Sequence, residues 1–283
     1  MKFKFVKAII AVILAAAVIS GCAAPALPAE SGRPSVVVTS FPCYDFVRAI
    51  AGSSVELSML LKPGVETHSF EPTPMDIKNV DNSDLFVYVG GDSDEWVDSL
   101  LDSTQLSGDR VLTLMSCVDL FEEEIAEGMT EHEHEHEEGE EGEEHEEHEE
   151  DEEHEEHGHE EGEVEYDEHV WTSPKNAVRI VERLCEALCA IDSENAEAYK
   201  VNAEAYIEKL NALDAEFTEI TENAKRREII VADRFPLLYF AREYGLTYHA
   251  AFPGCATDVE ASAATIAFLI AALKMTAYPL YST

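Results

Sequence analysis

Residues 194–226 read ENAEAYKVNAEAYIEKLNALDAEFTEITENAKR, and this stretch decides how the rest of the chain is interpreted. Its apolar residues recur at alternating steps of four and three, which places them in one stripe along a helix. The stripe consists of Tyr199, Ala203, Tyr206, Leu210, Leu213, Phe217 and Ile220. Such a helix would be roughly 50 Å long at 1.5 Å per residue. We therefore predict one long helix that serves as the backbone of a two-lobed protein, with a coiled-coil dimer as the alternative.

Short apolar runs alternate with helical patterns on both sides of this stretch. Before it, the pattern predicts strands at 35–39, 55–61, 85–89 and 111–114 and helices at 44–51, 74–80, 94–101 and 174–190. After it, the pattern predicts strands at 228–232 and 246–251 and helices at 236–244 and 261–273. This alternation predicts an α/β fold with mostly parallel sheets that are covered on both faces. Because the second lobe has two strands where the first has four, we expect a truncated C-terminal lobe.

The first residues have the layout of a targeting segment. Lys2, Lys4 and Lys7 form a basic region that precedes the apolar stretch 8–19, as in a secretory signal peptide. A membrane-spanning helix would need about 20 apolar residues, so we favour the signal peptide. The sequence Ile19-Ser20-Gly21-Cys22 follows and resembles a bacterial lipobox, in which the cysteine is lipidated. We therefore expect an exported lipoprotein that is anchored to a membrane through Cys22.

Residues 131–161 form a tract of unusual composition. They comprise 19 Glu, one Asp, eight His and three Gly, so the tract supplies 20 of the acidic charges behind the net charge of −40. A segment without apolar residues cannot bury a core, so we predict a disordered, solvated loop. Its histidines predict weak binding of several metal ions, with a merely solubilising loop as the alternative. These histidines are His132, His134, His136, His145, His148, His154, His157 and His159. The acidic composition also excludes nucleic acid as a partner, since phosphate binding needs clustered Lys and Arg.

Cysteine usage leaves the redox state open. Cys185 and Cys189 lie four apart on one apolar helix face, where we expect buried thiols rather than a strained disulfide. Cys43 and Cys255 each follow a Phe-Pro pair and lie near a predicted site loop.

Two histidines outside the tract lie in distinctive settings. His68 lies in a Pro-rich loop after a predicted strand, where open α/β sheets present ligand sites. His169 follows the tract and precedes a helix start at Ser173-Pro174. Imidazole suits Zn²⁺, for which three or four nitrogen and oxygen ligands make a site. The two histidines are therefore predicted metal ligands.

Both settings resemble ligand motifs of the zinc- and manganese-binding lipoproteins that serve bacterial ABC transporters as solute-binding proteins. The first is Pro63-Gly64-Val65-Glu66-Thr67-His68-Ser69-Phe70-Glu71-Pro72, followed by a Pro-x-Asp helix start at 74–76. The second is Glu168-His169-Val170-Trp171-Thr172-Ser173-Pro174, and an acidic His-rich insertion before it is typical of the zinc members. The resemblance covers residues 35 to 270 and implies two lobes joined by one long helix. Glu71 and Asp76 are expected to orient ligands or cap the helix rather than bind metal.

The third ligand is where the chain departs from this family. The resemblance implies a His, or a Glu in manganese members, just after the strand that follows the long helix. Here that region reads Asp233-Arg234-Phe235-Pro236 and contains no histidine. Asp233 is a tentative ligand if one residue is inserted in the alignment, and His249 is a weaker candidate. The family's fourth ligand, an acid near its C-terminal end, has no counterpart here.

These observations divide the chain into five predicted parts. They are a signal peptide at 1–21, a lipid-anchored tether at 22–34, an N-terminal lobe at 35–190 with a disordered loop at 122–166, a linking helix at 191–227 and an incomplete C-terminal lobe at 228–283. The resemblance implies a monomeric protein without enzymatic activity that captures Zn²⁺, with Mn²⁺ as the alternative, between its lobes and delivers it to an ABC permease in the cytoplasmic membrane.

Two rival functions are a cell-surface metal buffer or adhesin without a transporter and a surface zinc hydrolase. The hydrolase would need a general base beside the metal, and outside the His/Glu tract the sequence has no HExxH motif for it. We therefore favour the transport protein.

Overall fold

Two parallel sheets form the framework of the structure, a computed structural model that describes residues 32–65, 67, 70–129, 164–256 and 260–276. The first sheet has the strand order β2-β1-β3-β4 and the second pairs β5 with β6. The strands are β1 (Ser35–Val38), β2 (Glu56–Met59), β3 (Leu85–Tyr88), β4 (Val111–Thr113), β5 (Glu228–Arg234) and β6 (Thr247–Phe252). Every strand pairing is parallel, so the predicted α/β class with parallel sheets is confirmed.

Seven α-helices cover these sheets in the part of the chain that the structure describes. They are α1 (Phe41–Ala51), α2 (Pro74–Asp81), α3 (Trp96–Asp102), α4 (Pro174–Ile191), α5 (Ala196–Asn223), α6 (Leu238–Tyr244) and α7 (Ala263–Thr276). The largest deviation from prediction at a helix start is in α1, which begins at Phe41 rather than Tyr44. Pro42 therefore lies in the first turn of the helix. Backbone N–H groups there have no acceptor within the helix, so the N–H that proline lacks costs no helical hydrogen bond. None of the described helices is long and apolar enough to cross a membrane.

The first sheet is buried on both faces because successive side chains of a strand point to opposite sides. In β1, Val36 and Val38 join the large core formed with α1, α4 and α5, whereas Val37 faces a smaller core under α2 and α3. In β3, Leu85 and Phe86 divide between these two cores in the same way. This two-sided burial fixes the carboxyl ends of the strands, from which the loops toward the site emerge.

Helix α5 confirms the predicted long helix, although only part of its apolar stripe is buried. Tyr199 and Ala203 lie in the large core beside α1 and α4, with 0% and 4% exposure. Farther along, Phe217 packs against Phe240 and Tyr244 of α6, with ring centroids 5.0 and 5.5 Å apart. The helix thus contacts α1 and α4 beside the first sheet and α6, which connects the two strands of the second sheet. Other stripe residues, Leu213 and Ile220, remain 40% and 62% exposed.

By their contacts, the described residues from Pro34 onward group as one compact unit. The predicted signal peptide and Cys22 lie outside the described residues.

Candidate metal centre

His169 lies at the entrance to helix α4, as the sequence predicts. Its carbonyl oxygen accepts hydrogen bonds from the N–H and the hydroxyl of Thr172, at 3.1 and 2.8 Å. The helix then begins at Pro174, and the hydroxyl of the N-cap residue Ser173 accepts a hydrogen bond from the N–H of Asn176. This rigid turn holds the imidazole in place, with its side chain 16% exposed.

Asp167 orients the imidazole of His169. Its carboxylate is almost fully buried, accepts a hydrogen bond from the His169 N–H at 2.8 Å and lies 3.3 Å from His169 Nδ1. The backbone of Asp167 is itself fixed, because its N–H donates to Phe121 and its carbonyl accepts from the Tyr239 hydroxyl at 2.8 Å. A carboxylate that fixes the ring of a histidine is a recurring feature of zinc sites. The pair is therefore suited to presenting one imidazole nitrogen to a metal ion.

Cys255 completes a group that could hold a metal ion. One ligand atom each from Asp167, His169 and Cys255 lie within 4.8 Å of one another, and no other such group of three occurs among the described residues. The Cys255 N–H donates to the Glu123 carboxylate at 2.8 Å. Burial raises the pKa of the Cys255 thiol, and the nearby carboxylates of Glu168, Glu123 and Asp167 raise it further. Negative charge thus surrounds the thiol, an environment that a bound divalent cation would neutralise.

Gly254 allows the Cys255 loop to approach the other two residues. A Cβ atom at position 254 would lie 3.0 Å from Asp167 Oδ2, 3.0 Å from the Phe235 carbonyl oxygen and 3.2 Å from His169 Nδ1. These contacts are tighter than nine in ten real Cβ contacts, so a larger residue would force its neighbours to shift by a few tenths of an ångström. Glycine at this position therefore lets the loop from β6 reach the site.

Glu168 anchors the same turn to the first sheet. Its carboxylate accepts a hydrogen bond from the Ser93 N–H at 3.0 Å and another from the Ser93 hydroxyl. The loop after β3 passes close to it at Gly91, whose φ of 79° favours glycine. A Cβ there would lie 2.8 Å from Glu168 Oε2. The site turn is therefore fixed to the carboxyl end of β3, the edge at which α/β sheets place ligand sites.

The two chain segments that flank the His/Glu tract are paired with each other beside this centre. Glu122 and Tyr166 form an isolated antiparallel bridge. The Glu123 N–H donates to the Glu165 carbonyl at 2.9 Å. The predicted loop at 122–166 therefore includes ends that are hydrogen bonded, and its central part, 130–163, lies outside the described residues.

Tyr239 ties these flanking segments to helix α6. Its side chain is 1% exposed, accepts a hydrogen bond from the Phe121 N–H at 3.2 Å and stacks on the Phe121 ring at 5.2 Å. Burial raises the pKa of Tyr239 to about 12, so its hydroxyl stays protonated and donates to Asp167. One side chain thus links α6, the segment before the tract and the segment after it.

The remaining predicted site residues are placed as follows. His68, Cys22 and the eight tract histidines lie outside the described residues. Asp233 lies exposed on β5, where its carboxylate accepts from the Arg234 N–H, and it is not a member of the group around His169. His249 lies on β6, and its Nε2 is 3.1 Å from the Glu228 carboxylate. Asp76 caps α2 through a reciprocal pair of hydrogen bonds with Thr73, as predicted.

Sequence reasoning missed Asp167, Glu123 and Cys255 as parts of this centre. Asp167 had a local signal, its position two residues before His169. Cys255 had only the preceding Phe-Pro pair, and Glu123 had none. All five cysteines in the described residues are free thiols, including the predicted pair Cys185 and Cys189.

Comparison with known proteins gives one family. The family described as zinc-uptake complex component A, periplasmic (ZnuA), matches residues 36–281. The zinc-binding lipoprotein AdcA of Streptococcus pneumoniae is 32% identical over 243 residues, which are 86% of this chain and 43% of that protein. The high-affinity zinc uptake system protein ZnuA of Bacillus subtilis is 34% identical over 234 residues, or 83% of this chain and 65% of that protein. The chain thus spans less than half the length of AdcA.

Solved structures have the same fold. The metal-dependent lipoprotein YcdH of Bacillus subtilis gives a TM-score of 0.63 at 29% identity, covering 86% of this chain and 76% of that one. Zn(II)-bound AdcA of Streptococcus pneumoniae gives a TM-score of 0.62 at 27% identity, covering 86% of this chain and 44% of that one. The predicted relationship to metal-binding solute-binding proteins is therefore confirmed.

Proposed function

Because this chain belongs to the family of the zinc-uptake complex component A, we propose that it is the extracytoplasmic zinc-binding protein of an ABC importer. It captures Zn²⁺ as cargo and delivers it to a permease in the cytoplasmic membrane. The observation that carries this proposal is the grouping of Asp167 and Cys255 within 4.8 Å of His169, the histidine of the second predicted ligand motif. We assign the protein no catalytic role.

His169 and His68 are the proposed imidazole ligands. His169 is supported by its fixed position and its carboxylate partner Asp167. His68 is supported by its motif, and the neighbouring Phe70 packs on Trp96 with ring centroids 4.8 Å apart. Zinc prefers such nitrogen ligands at about 2.0–2.1 Å. The anionic carboxylates beside His169 would offset the charge of the ion.

Removing residues 131–161 is expected to leave one tight zinc ion bound while lowering the number of weakly bound zinc ions. The tract has no apolar residue to bury, and its flanks are paired outside the deleted segment. We therefore propose that it collects zinc near the site without contributing to the folded core. The measurement is a competition titration against a chromophoric zinc chelator, on the chain with and without the tract, together with thermal unfolding.

The same titration with Mn²⁺ as competitor tests the proposed function. We expect one zinc ion to be retained in the presence of excess Mn²⁺. Failure to bind any zinc ion tightly would contradict the proposed role in zinc import. Tighter binding of Mn²⁺ than of Zn²⁺ would show that Mn²⁺ is the cargo. A large fall in melting temperature on deletion would show that the tract is structural.

Substitution of Cys22 by alanine is expected to abolish lipid attachment. The motif Ile19-Ser20-Gly21-Cys22 supports lipidation at this thiol, which would hold the protein beside its permease. The measurement is incorporation of radiolabelled fatty acid into the chain in a bacterial host, with Cys117→Ala as the matched control. Labelling that persists in the Cys22 variant would rule out this anchor.

A further inference from the structure

The third zinc ligand is unassigned where the family resemblance implies a histidine. Asp233 is the residue nearest that position in sequence, but it is exposed on β5 and its carboxylate accepts a hydrogen bond from the adjacent Arg234 N–H. It does not join His169 in any metal-capable group of the described residues. A ligand from the second sheet must therefore be sought in another loop.

The loop after β6 reaches the site instead. Strand β6 ends at Phe252, and its parallel pairing with β5 directs the following residues to the same sheet edge as Phe235. Gly254 then passes so close to Asp167 and His169 that no side chain fits between them without a shift. The close approach of the backbone at Gly254 brings the next residue, Cys255, to the imidazole.

Cys255 is held there from its other side. Its N–H donates to the Glu123 carboxylate at 2.8 Å, and Glu123 is fixed through its own N–H to the Glu165 carbonyl. The thiol therefore lies between the segment before the tract and the turn that carries His169. Three separate parts of the chain, 119–129, 164–169 and 253–255, converge on it.

We propose that Cys255 supplies a thiolate ligand to the zinc ion that His169 binds, in place of the missing histidine. The inference rests on the proposed function. On binding, the S–H bond breaks, a sulfur–zinc bond forms and the proton passes to solvent, as is usual when cysteine binds zinc. A tetrahedral zinc ion with bonds of about 2.3 Å to sulfur and about 2.1 Å to nitrogen holds these two ligand atoms about 3.6 Å apart. The ligand atoms of Cys255 and His169 lie within 4.8 Å of each other, so a shift of at most about 1.2 Å brings them to this distance.

A thiolate also changes which metal the site selects. Soft sulfur ligands favour zinc, whereas manganese favours oxygen ligands. A His and Cys pair would therefore make the site select Zn²⁺ against Mn²⁺, beyond what imidazole alone achieves. The competing explanation is that Cys255 is simply a partly buried thiol that packs as a small apolar side chain.

Cobalt(II) is the probe that separates these explanations. One equivalent of Co²⁺ added to the full chain should give a near-ultraviolet sulfur-to-cobalt charge-transfer band. Cys255→Ser should remove this band and weaken zinc binding by about tenfold or more, since even partners outside the ligand shell contribute roughly 10–100-fold. Cys117→Ser and Asp233→Asn are the matched controls, and both should keep the band and the affinity.

Each outcome decides the question. Tight zinc binding by the wild-type chain without a charge-transfer band would overturn the Cys255 assignment while leaving the proposed function intact. Loss of affinity in Asp233→Asn but not in Cys255→Ser would overturn it in favour of Asp233. Absence of tight zinc binding by the wild-type chain would overturn both. Because the wild-type band needs no variant, a folding defect in Cys255→Ser cannot hide a negative result.

Discussion

Replacing His169 by alanine is expected to lower the zinc affinity of the tight site by at least about a hundredfold. Its backbone carbonyl accepts hydrogen bonds from Thr172, and its imidazole lies against the Asp167 carboxylate. Loss of a group that merely orients a ligand costs roughly 10–100-fold in metal affinity, so loss of the ligand itself should cost more. The measurement is the chelator competition titration on the folded variant.

His249→Ala is the matched control for this experiment. His249 is also a partly buried histidine, with its side chain 24% exposed, and it also faces a carboxylate, that of Glu228. It lies on β6 outside the group around His169. The zinc affinity of the His249→Ala variant should therefore stay within about twofold of the wild-type value, a smaller change than the loss of a residue that orients a ligand would cause. If His249→Ala lost zinc and His169→Ala kept it, the metal centre would lie in the second sheet.

Tyr239→Ala is expected to lower the free energy of unfolding by about 3–5 kcal/mol, the usual cost of removing a large buried aromatic side chain. Tyr239 is among the largest fully buried side chains of the described residues. Tyr239→Phe keeps the ring and removes only the hydroxyl, which leaves the Phe121 N–H and the Asp167 carbonyl without this partner. That change should cost about 1–3 kcal/mol, measured by urea unfolding.

Tyr166→Phe provides the control for Tyr239. Tyr166 belongs to the same flanking segment but is 43% exposed, so its hydroxyl should contribute less than about 0.5 kcal/mol. We also expect Tyr239→Phe to weaken zinc binding, because Asp167 loses a contact that positions it beside His169. Equal stability of the two phenylalanine variants would show that the Tyr239 hydroxyl does not hold the flanking segments together.

Local patterns were sufficient to predict most of the fold. The apolar stripe of α5, the β-branched run of β1 and the Ser173-Pro174 start of α4 each reflect a preference that neighbouring residues impose on the backbone. The same local logic located His169, because its motif is continuous in sequence. The local pattern did not predict that Ile220, at the end of the α5 stripe, is exposed, because burial depends on which element packs there.

The remainder of the site could not be predicted from local patterns because distant segments build it. Glu123, Asp167 and Cys255 lie on three separate stretches of chain, and their meeting depends on the β5–β6 pairing and on the close approach at Gly254. No periodicity encodes that approach. The sequence showed that a third histidine was missing, but only the packing of the loop after β6 brings Cys255, the replacement that we propose, close to His169.

Anomalous diffraction at the zinc absorption edge, on crystals of the zinc-loaded chain, tests the central claim most directly. We expect one strong peak within about 2.0–2.3 Å of a His169 ring nitrogen and of the Cys255 sulfur, the distances at which zinc binds these atoms. A strong peak elsewhere, with the His169 ring still in contact only with Asp167, would contradict the metal centre proposed for this protein.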